Sequence, residues 1–435
     1  MKKIVIVGGG ASGLQLATRL GHYFSFTRGL RQRRQSPSVQ VTLVDKNRTS
    51  IWKPLLHQVA AGALDANMDA LNYQVHARAN GYEFQLGPLQ SIDRKRRILQ
   101  LGAVLDDNDN ELVPSRELEY DYLVLAIGSQ SNDFRTPGIR EHCVFLDSSE
   151  QAQKFHQQLL NHFLRLETQV EKKMQVAIVG GGATGVELSA ELVGAGQFMG
   201  NYGRIRSDAI EITVIEAGPH LLPALPARLG NNAERELRKM GVRVLTDCPI
   251  ASATATGLTT GSGEEIPANI RVWAAGVKAP DFLSTLDGLT TNHLNQIEVT
   301  TTLQTQSDPH IFALGDCASC IDSQEQRVPP RAQAAQQMAT LSANNLIALI
   351  EDKSLYHFHY RDRGSLVSLS KYTAVGSLMG TLVKGSLTIE GRIAGIAYRS
   401  LYFMHMVAVH GWPKAMLLYL VGRANRAISP RLKLH

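Results

Sequence analysis

Apolar residues along this chain come in short runs that end in glycine, and two of these runs are alike. Ile4 to Val7 leads to Gly8, Gly10 and Gly13, and Val176 to Val179 leads to Gly180, Gly182 and Gly185. A short, uniformly apolar run bounded by turn residues predicts a buried parallel strand. A helical pattern follows each glycine set, Leu14 to Leu20 in the first case and Glu187 to Leu192 in the second. In G-x-G-x-x-G spacing the first glycine permits a tight turn, and the second lets the backbone approach a pyrophosphate. The third lets helix and strand pack closely, with the helix N-terminus facing the anion. One such motif is a weak signal, but two in one chain predict two dinucleotide folds.

Each motif is followed by a second apolar strand that ends in an acid. Ile210 to Ile215 ends at Glu216, and Val39 to Val44 ends at Asp45. A carboxylate there can accept hydrogen bonds from a ribose 2′-hydroxyl and repels a 2′-phosphate. The second motif therefore predicts a site for NADH rather than NADPH. Asp45 lies farther from its glycines than usual because of a basic insert, residues 21–38, with Arg28, Arg31, Arg33 and Arg34. The insert reads as a solvated loop or as a contact for anionic lipid.

The remaining segments fit around these two units. IWKPLLHQVAAG, residues 51–62, follows the first acid, where flavoproteins of this kind run toward the flavin ring, so Trp52, Lys53 and His57 are flavin-side candidates. A lone histidine such as His57 is more often structural than catalytic. No pair of cysteines lies here, which counts against the disulfide reductases. Residues 83–113 read as β-hairpin material, and Tyr122 to Ile127 as a buried strand ending at Gly128. An amphipathic helix is expected from Glu150 to Leu166, a loop from Pro219 to Pro226, and a helix from Arg228 to Met240. The strand Arg271 to Ala275 ends at Gly276.

IFALGDCA, residues 311–318, is a short strand leading to Asp316, placed as the aspartate that bonds a flavin's ribityl hydroxyls. Cys317 and Cys320 form a C-x-x-C that is either a redox pair or simply part of this flavin motif; its position inside the motif favours the latter. A helix is expected after Pro329 and Pro330, with Gln333 and Gln337 four apart on one face. A neutral amide can donate to a quinone carbonyl without adding charge to an apolar pocket; the plainer reading is two solvent-facing glutamines. Residues 364–389 read as strands.

Composition changes the picture at one end only. The chain has 435 residues, 44% hydrophobic and 19% charged, as expected of two or three globular domains. Met1-Lys2-Lys3 runs straight into the first strand, with no signal peptide in view, and four cysteines do not suggest a disulfide scaffold. The net charge is +6, yet residues 1–390 carry 38 basic and 39 acidic groups, a net of −1. The last 45 residues have seven Lys/Arg and no acid. A nearly neutral body argues against a nucleic-acid partner. Within the tail, Ile393 to Val409 and Ala415 to Val421 are apolar, with Gly411-Trp412-Pro413-Lys414 between them and Gly422-Arg423 at the end. Neither piece reaches the roughly twenty residues of a spanning helix. Basic and aromatic flanks suit helices lying in a membrane interface; a dimer-interface helix pair is the soluble alternative.

These residues resemble the bacterial type II NADH dehydrogenases, single-subunit respiratory NADH:quinone oxidoreductases, most of all the enterobacterial type. The resemblance runs the length of the chain through VGGGATGVELSAEL, WKPLLH, VWAAG, GDCASC, VPPRAQAA, GSLVSLS and LVGRANRAISPRLKLH. It implies an α/β two-dinucleotide-binding flavoprotein fold of two Rossmann-like domains. An FAD-binding domain would take residues 1–128 and 277–345, an NADH-binding domain 129–276, and a membrane-anchoring segment 346–435. It further implies non-covalent FAD, NADH as donor, a membrane quinone as acceptor and no proton pumping. A homodimer attached peripherally to the cytoplasmic face of the inner membrane, on anionic lipid, is also implied. Glu187 matches the family glutamate near nicotinamide and flavin, Gln333 the glutamine beside flavin and quinone, and Gln337 its partner one turn on. Two rivals stand beside this reading: a sulfide:quinone oxidoreductase, which needs cysteines flanking the flavin, and a non-catalytic NADH-sensing membrane flavoprotein.

Overall fold

Parallel strands whose side chains are apolar on both faces must be covered on both faces, and the fold follows from that requirement. The structure is a computed structural model, and it describes residues 1–26, 38–66, 70–202, 206, 209–368, 374–380, 383–390, 400, 403, 406–407 and 411–428. The four arginines of the basic insert and most of segment 393–409 lie outside the described residues. The chain divides into two compact units. One comprises Met1–Trp52, Ala70–Gln130 and Lys278–Asp362, the other Lys53–Asp69, Ser131–Val277 and Arg363–His435.

The first unit holds an eight-stranded sheet. Asp308–Ala313, Tyr122–Leu125, Lys2–Val7, Val39–Asp45 and Glu83–Leu86 lie side by side in parallel. Ile4, Ile6, Leu43, Leu123, Leu125 and Phe312 are completely buried in it. The helix Ala11–Phe26 packs against the helix Ala332–Ile350, and Gln15 Nε2 donates to Thr340 Oγ1 at 3.2 Å. Residues 83–86 do not join a hairpin, as the turn-rich sequence suggested. They add an edge strand to the parallel sheet, because Leu43 and Val44 present an open parallel edge to Phe84 and Gln85. The expected hairpins follow it: Leu89–Asp93 with Ile98–Leu101, extended by Arg116–Glu119, and Val104–Leu105 with Glu111–Val113.

The second unit repeats the plan with four parallel strands in the order Arg243–Leu245, Ile210–Ile215, Met174–Val179, Ile270–Trp273. The helix Ser149–Glu167 starts where the Ser148 side chain accepts from Gln151 N, and buries Ala152, Phe155, Leu159, Leu160, Phe163 and Leu166 at helical spacing. Gly364–Ser368, Ala374–Gly380 and Val383–Glu390 form an antiparallel sheet. The last helix, Trp412–Ile428, begins where an interruption was expected and passes through Gly422, where an end was expected. Pro413 falls in its first turn, where the missing N–H costs nothing. Among the described residues no helix is long and apolar enough to cross a membrane.

The helix Ala183–Tyr202 separates two kinds of glycine. A Cβ on Gly185 would fall 2.0 Å from Gly180 O, whereas one on Gly194 meets nothing within 4 Å. Gly185→Ala should destabilise the chain by about 2–3 kcal/mol, and Gly194→Ala should stabilise it by about 0.5–1 kcal/mol. Urea denaturation of both variants checks the pair.

Candidate functional site

The turn glycines and acids singled out from sequence lie at the carboxyl ends of parallel strands, where open α/β sheets bind ligands. In the first unit the registers Val7↔Val44, Val7↔Leu125 and Leu125↔Ala313 bring Gly8, Asp45, Gly128 and Asp316 to one edge of one sheet. In the second, Val179↔Ile215 and Val179↔Trp273 do the same for Gly180, Glu216 and Gly276. Trp52, Gln333 and Gln337 also belong to the first unit, and Lys53, His57, Gly182, Gly185 and Glu187 to the second.

The two glycine turns have the same construction. Gly8 and Gly180 take φ of +104° and +113°, and a Cβ on either would strike the carbonyl of Ala126 or Ala274. Gly13 and Gly185 press against Gly8 O and Gly180 O. The protein itself thus demands the first and third glycines. It makes no such demand at Gly10 and Gly182, where a Cβ would meet nothing within 4 Å. A glycine kept beside open space, at a helix N-terminus, fits a ligand that comes against the backbone, and a pyrophosphate suits those orphan N–H groups. Both turns therefore fit a dinucleotide.

The acids are anchored to the turns. Gly9 N donates to Asp45 Oδ2 at 2.7 Å and Asn47 N to Oδ1 at 2.8 Å. Gly181 N donates to Glu216 Oε2 at 2.6 Å and Gly218 N to Oε1 at 2.9 Å. A carboxylate has about four acceptor positions, so each keeps capacity for ribose hydroxyls. Burial pushes the Asp45 carboxyl up, and the two N–H bonds act in the opposite sense. Asp316 Oδ2 accepts from Ser129 Oγ at 2.8 Å, a partner the sequence did not suggest. Gly128 and Gly276 both take left-handed φ, +79° and +144°; the space beside Gly128 is open, while Gly276 faces the Phe134 ring.

His57 and Glu187 meet. Both are buried, at 2% and 6% exposure, with His57 Nδ1 3.5 Å from Glu187 Oε2. Burial pushes the imidazole down to about 4, against a bond to the Pro54 carbonyl that raises it. The contact is therefore one between a neutral ring and a carboxyl group. His57 Nε2 is buried with no hydrogen-bond partner among the described residues. Lys53 is exposed and its Nζ lies 3.4 Å from Asp147 Oδ1, which also accepts from Ser131 N.

Gln333 and Gln337 do share a face, and both reach segment 361–362. Gln333 Nε2 donates to Asp362 Oδ1 at 3.1 Å. Gln337 Nε2 donates to Arg361 O at 2.9 Å, and its Oε1 accepts from Arg361 N at 3.0 Å. Arg331 completes the cluster with Asp362 at 3.2 Å. Asp362 was invisible in the sequence, since it stands 29 residues from Gln333 with no motif around it. Cys317 and Cys320 are free thiols, pushed up by burial to about 11 and about 12, so they are protonated near neutrality. Cys317 Sγ donates to Leu314 O at 3.2 Å. Among the described residues no cluster suits a metal ion.

A family model described as pyridine nucleotide-disulphide oxidoreductase matches residues 2–339. The chain is 46% identical, over all of both sequences, to the type II NADH:quinone oxidoreductase of Haemophilus influenzae. It is 27% identical to the enzyme of that name from Staphylococcus aureus, across 88% of this chain and 91% of the relative. The solved structure of NDH2 from Plasmodium falciparum in complex with NADH has the same fold. The TM-score is 0.81 at 18% identity, with 99% and 100% of the two chains covered.

Two outcomes follow from the geometry. Gly182→Ala should change stability by less than about 0.5 kcal/mol while abolishing tight NADH binding, read by titration of the folded protein. His57 is the second. The unfolded chain takes up its proton near 6.5 and the folded chain only near 4. The unfolded state thus binds more protons in this window, and stability falls as the pH drops through it, by up to about 3 kcal/mol. His57→Asn should flatten the melting-temperature profile between those limits.

Proposed function

The chain belongs to the pyridine nucleotide-disulphide oxidoreductase family and, within it, to the type II NADH:quinone oxidoreductases, and from that we infer its working parts. It is an FAD-dependent enzyme that oxidises NADH and reduces a quinone without pumping protons. The observation that supports the assignment of its residues is the pair of matching turns, each with a middle glycine that only a ligand requires.

FAD, when bound, would supply the acceptor for the NADH hydride and the two-electron donor for the quinone. In our reading an FAD domain of residues 1–128 and 277–345 holds that group through Gly8, Gly10, Gly13, Asp45, Gly128 and Asp316, with Trp52, Lys53 and His57 supplied from residues 51–62. A domain of residues 129–276 holds NADH on Gly180, Gly182 and Gly185, with Gly276 closing the turn at its far strand. Glu216 selects against a 2′-phosphate by like-charge repulsion. Glu187 steadies the nicotinamide or hands on a proton, with the neutral His57 ring beside it. Gln333 orients the quinone carbonyl. Gln337, with donor and acceptor both on the Arg361 backbone, steadies the segment that also engages Gln333.

Residues 346–435 are proposed to attach the enzyme to the cytoplasmic face of the inner membrane, as a homodimer on anionic lipid. The helix Trp412–Ile428 supports this by leaving Trp412, Leu417, Leu420 and Val421 at least half exposed. Apolar side chains in such number on one short helix suit a lipid interface. Neither rival is favoured. The thiols of Cys317 and Cys320 are protonated and bonded to backbone, unlike the reactive cysteines that sulfide oxidation needs.

The test is NADH oxidation by the purified protein with and without a short-chain quinone, following flavin absorbance. Bleaching by NADH and recolouring by quinone are expected; a flavin that NADH does not bleach overturns the reading. Gln333→Ala should raise the KM for quinone about tenfold, the scale of one lost hydrogen bond of ~1.4 kcal/mol, and leave bleaching by NADH unchanged.

A further inference from the structure

The two glycine turns match in φ, in the acid that takes the central N–H, and in the contact of third glycine on first. They differ in what holds the central carbonyl. In the first unit the Tyr73 hydroxyl donates to Gly9 O at 2.8 Å, and Ser50 Oγ stands 3.4 Å from the same oxygen. In the second, the backbone N–H of Leu222 donates to Gly181 O at 2.8 Å.

Tyr73 is held rigidly. It is 2% exposed, opens the helix Tyr73–Asn80, and its ring stacks on Phe84 with centroids 5.1 Å apart. Its N–H donates to Arg48 O at 3.2 Å, and the pairs Thr49↔Asn72 and Ser50↔Leu71 tie the preceding residues down. The ring covers Gly9 so closely that a Cβ there would fall 2.3 Å from it. Burial, with Asp45 nearby, pushes the phenol well above its ordinary value, so it is a donor at any physiological pH. Leu222 is held differently. It lies between Pro219 and Pro226 and takes a left-handed φ of +54°, which side chains other than glycine adopt at a cost.

The peptide unit explains why the carbonyl matters. A peptide is planar and trans, so fixing Gly9 O fixes the N–H of Gly10 in the opposite direction. The preceding peptide is already fixed through Gly9 N on Asp45. Two successive peptides are thus locked next to the open space beside Gly10, and the Gly10 N–H needs no reordering when an anion arrives.

We propose that Tyr73 is a positioning residue for the resident dinucleotide: its hydroxyl locks the Gly9–Gly10 peptide and slows release of FAD, whereas the second turn, held by a strained loop, lets its dinucleotide exchange in every turnover. The proposal rests on the reading that the first turn takes FAD.

The test uses the FAD-loaded, full-length protein and follows the fluorescence of FAD released on dilution. Tyr73→Phe keeps the ring and its stacking and removes only the donor. It should release FAD about five- to tenfold faster, with NADH affinity unchanged. Ser50→Ala, which removes the second hydroxyl near the same carbonyl, should give about a twofold rise. A purely structural tyrosine would lower the melting temperature of the flavin-free protein and leave the release rate alone. Gly10→Ala separates the proposal from its premise. If Gly10→Ala loses FAD while Tyr73→Phe and Ser50→Ala release it at the wild-type rate, the proposal fails and the premise stands. If Gly10→Ala retains FAD fully, the premise fails and takes the proposal with it.

Discussion

The structure depends on one close approach, that of a helix to the strand before it. Gly13 lies against Gly8 O and Gly185 against Gly180 O, at separations that leave no room for a β-carbon. Only at that distance does the helix begin directly over the strand's carboxyl end, with its unpaired N–H groups gathered at the sheet edge. The position of each acid beside its turn goes with this contact. It occurs twice, and the second unit is in this sense a copy of the first.

Around this contact the protein builds fixed acceptors and donors rather than mobile ones. Asp45 and Glu216 are tethered by the turns they serve. Asp316 is tethered by Ser129, and Gln333 by Asp362. Asp45 and Glu216 each accept two backbone N–H bonds of the roughly four a carboxylate can take. Preorganisation of this kind lowers the cost of ordering the site when the ligand binds. His57 and Glu187 are the contrasting case. They are buried together in contact rather than in a charged pair, because burial keeps the imidazole neutral.

Much of this was legible in the sequence because the controlling signals are local. Glycine spacing, apolar runs and the acid that ends each second strand lie within a few dozen residues of one another, so both dinucleotide units could be read from pattern. The strands at 364–390 were legible by the same rule. The errors have separate causes. Residues 83–86 read as hairpin because turn residues flank them, but the open edge they join is set by Val39–Asp45, some forty positions earlier. The last helix crosses Gly422 because one glycine costs a helix only about 1 kcal/mol.

What the sequence determined by itself was the order of the parts: which glycines and acids stand at the strand ends, which amides share one helix, and the acid-free tail. What only the tertiary structure decided was which of these groups are tied, and to what. Tyr73 on Gly9, His57 against Glu187 and Asp362 on Gln333 join positions 29 to 130 residues apart in the chain. A hydrogen bond or a buried contact depends on distances of a few ångströms in space. Sequence records such distances only where the chain is short and its local geometry regular, and at these three places it is neither.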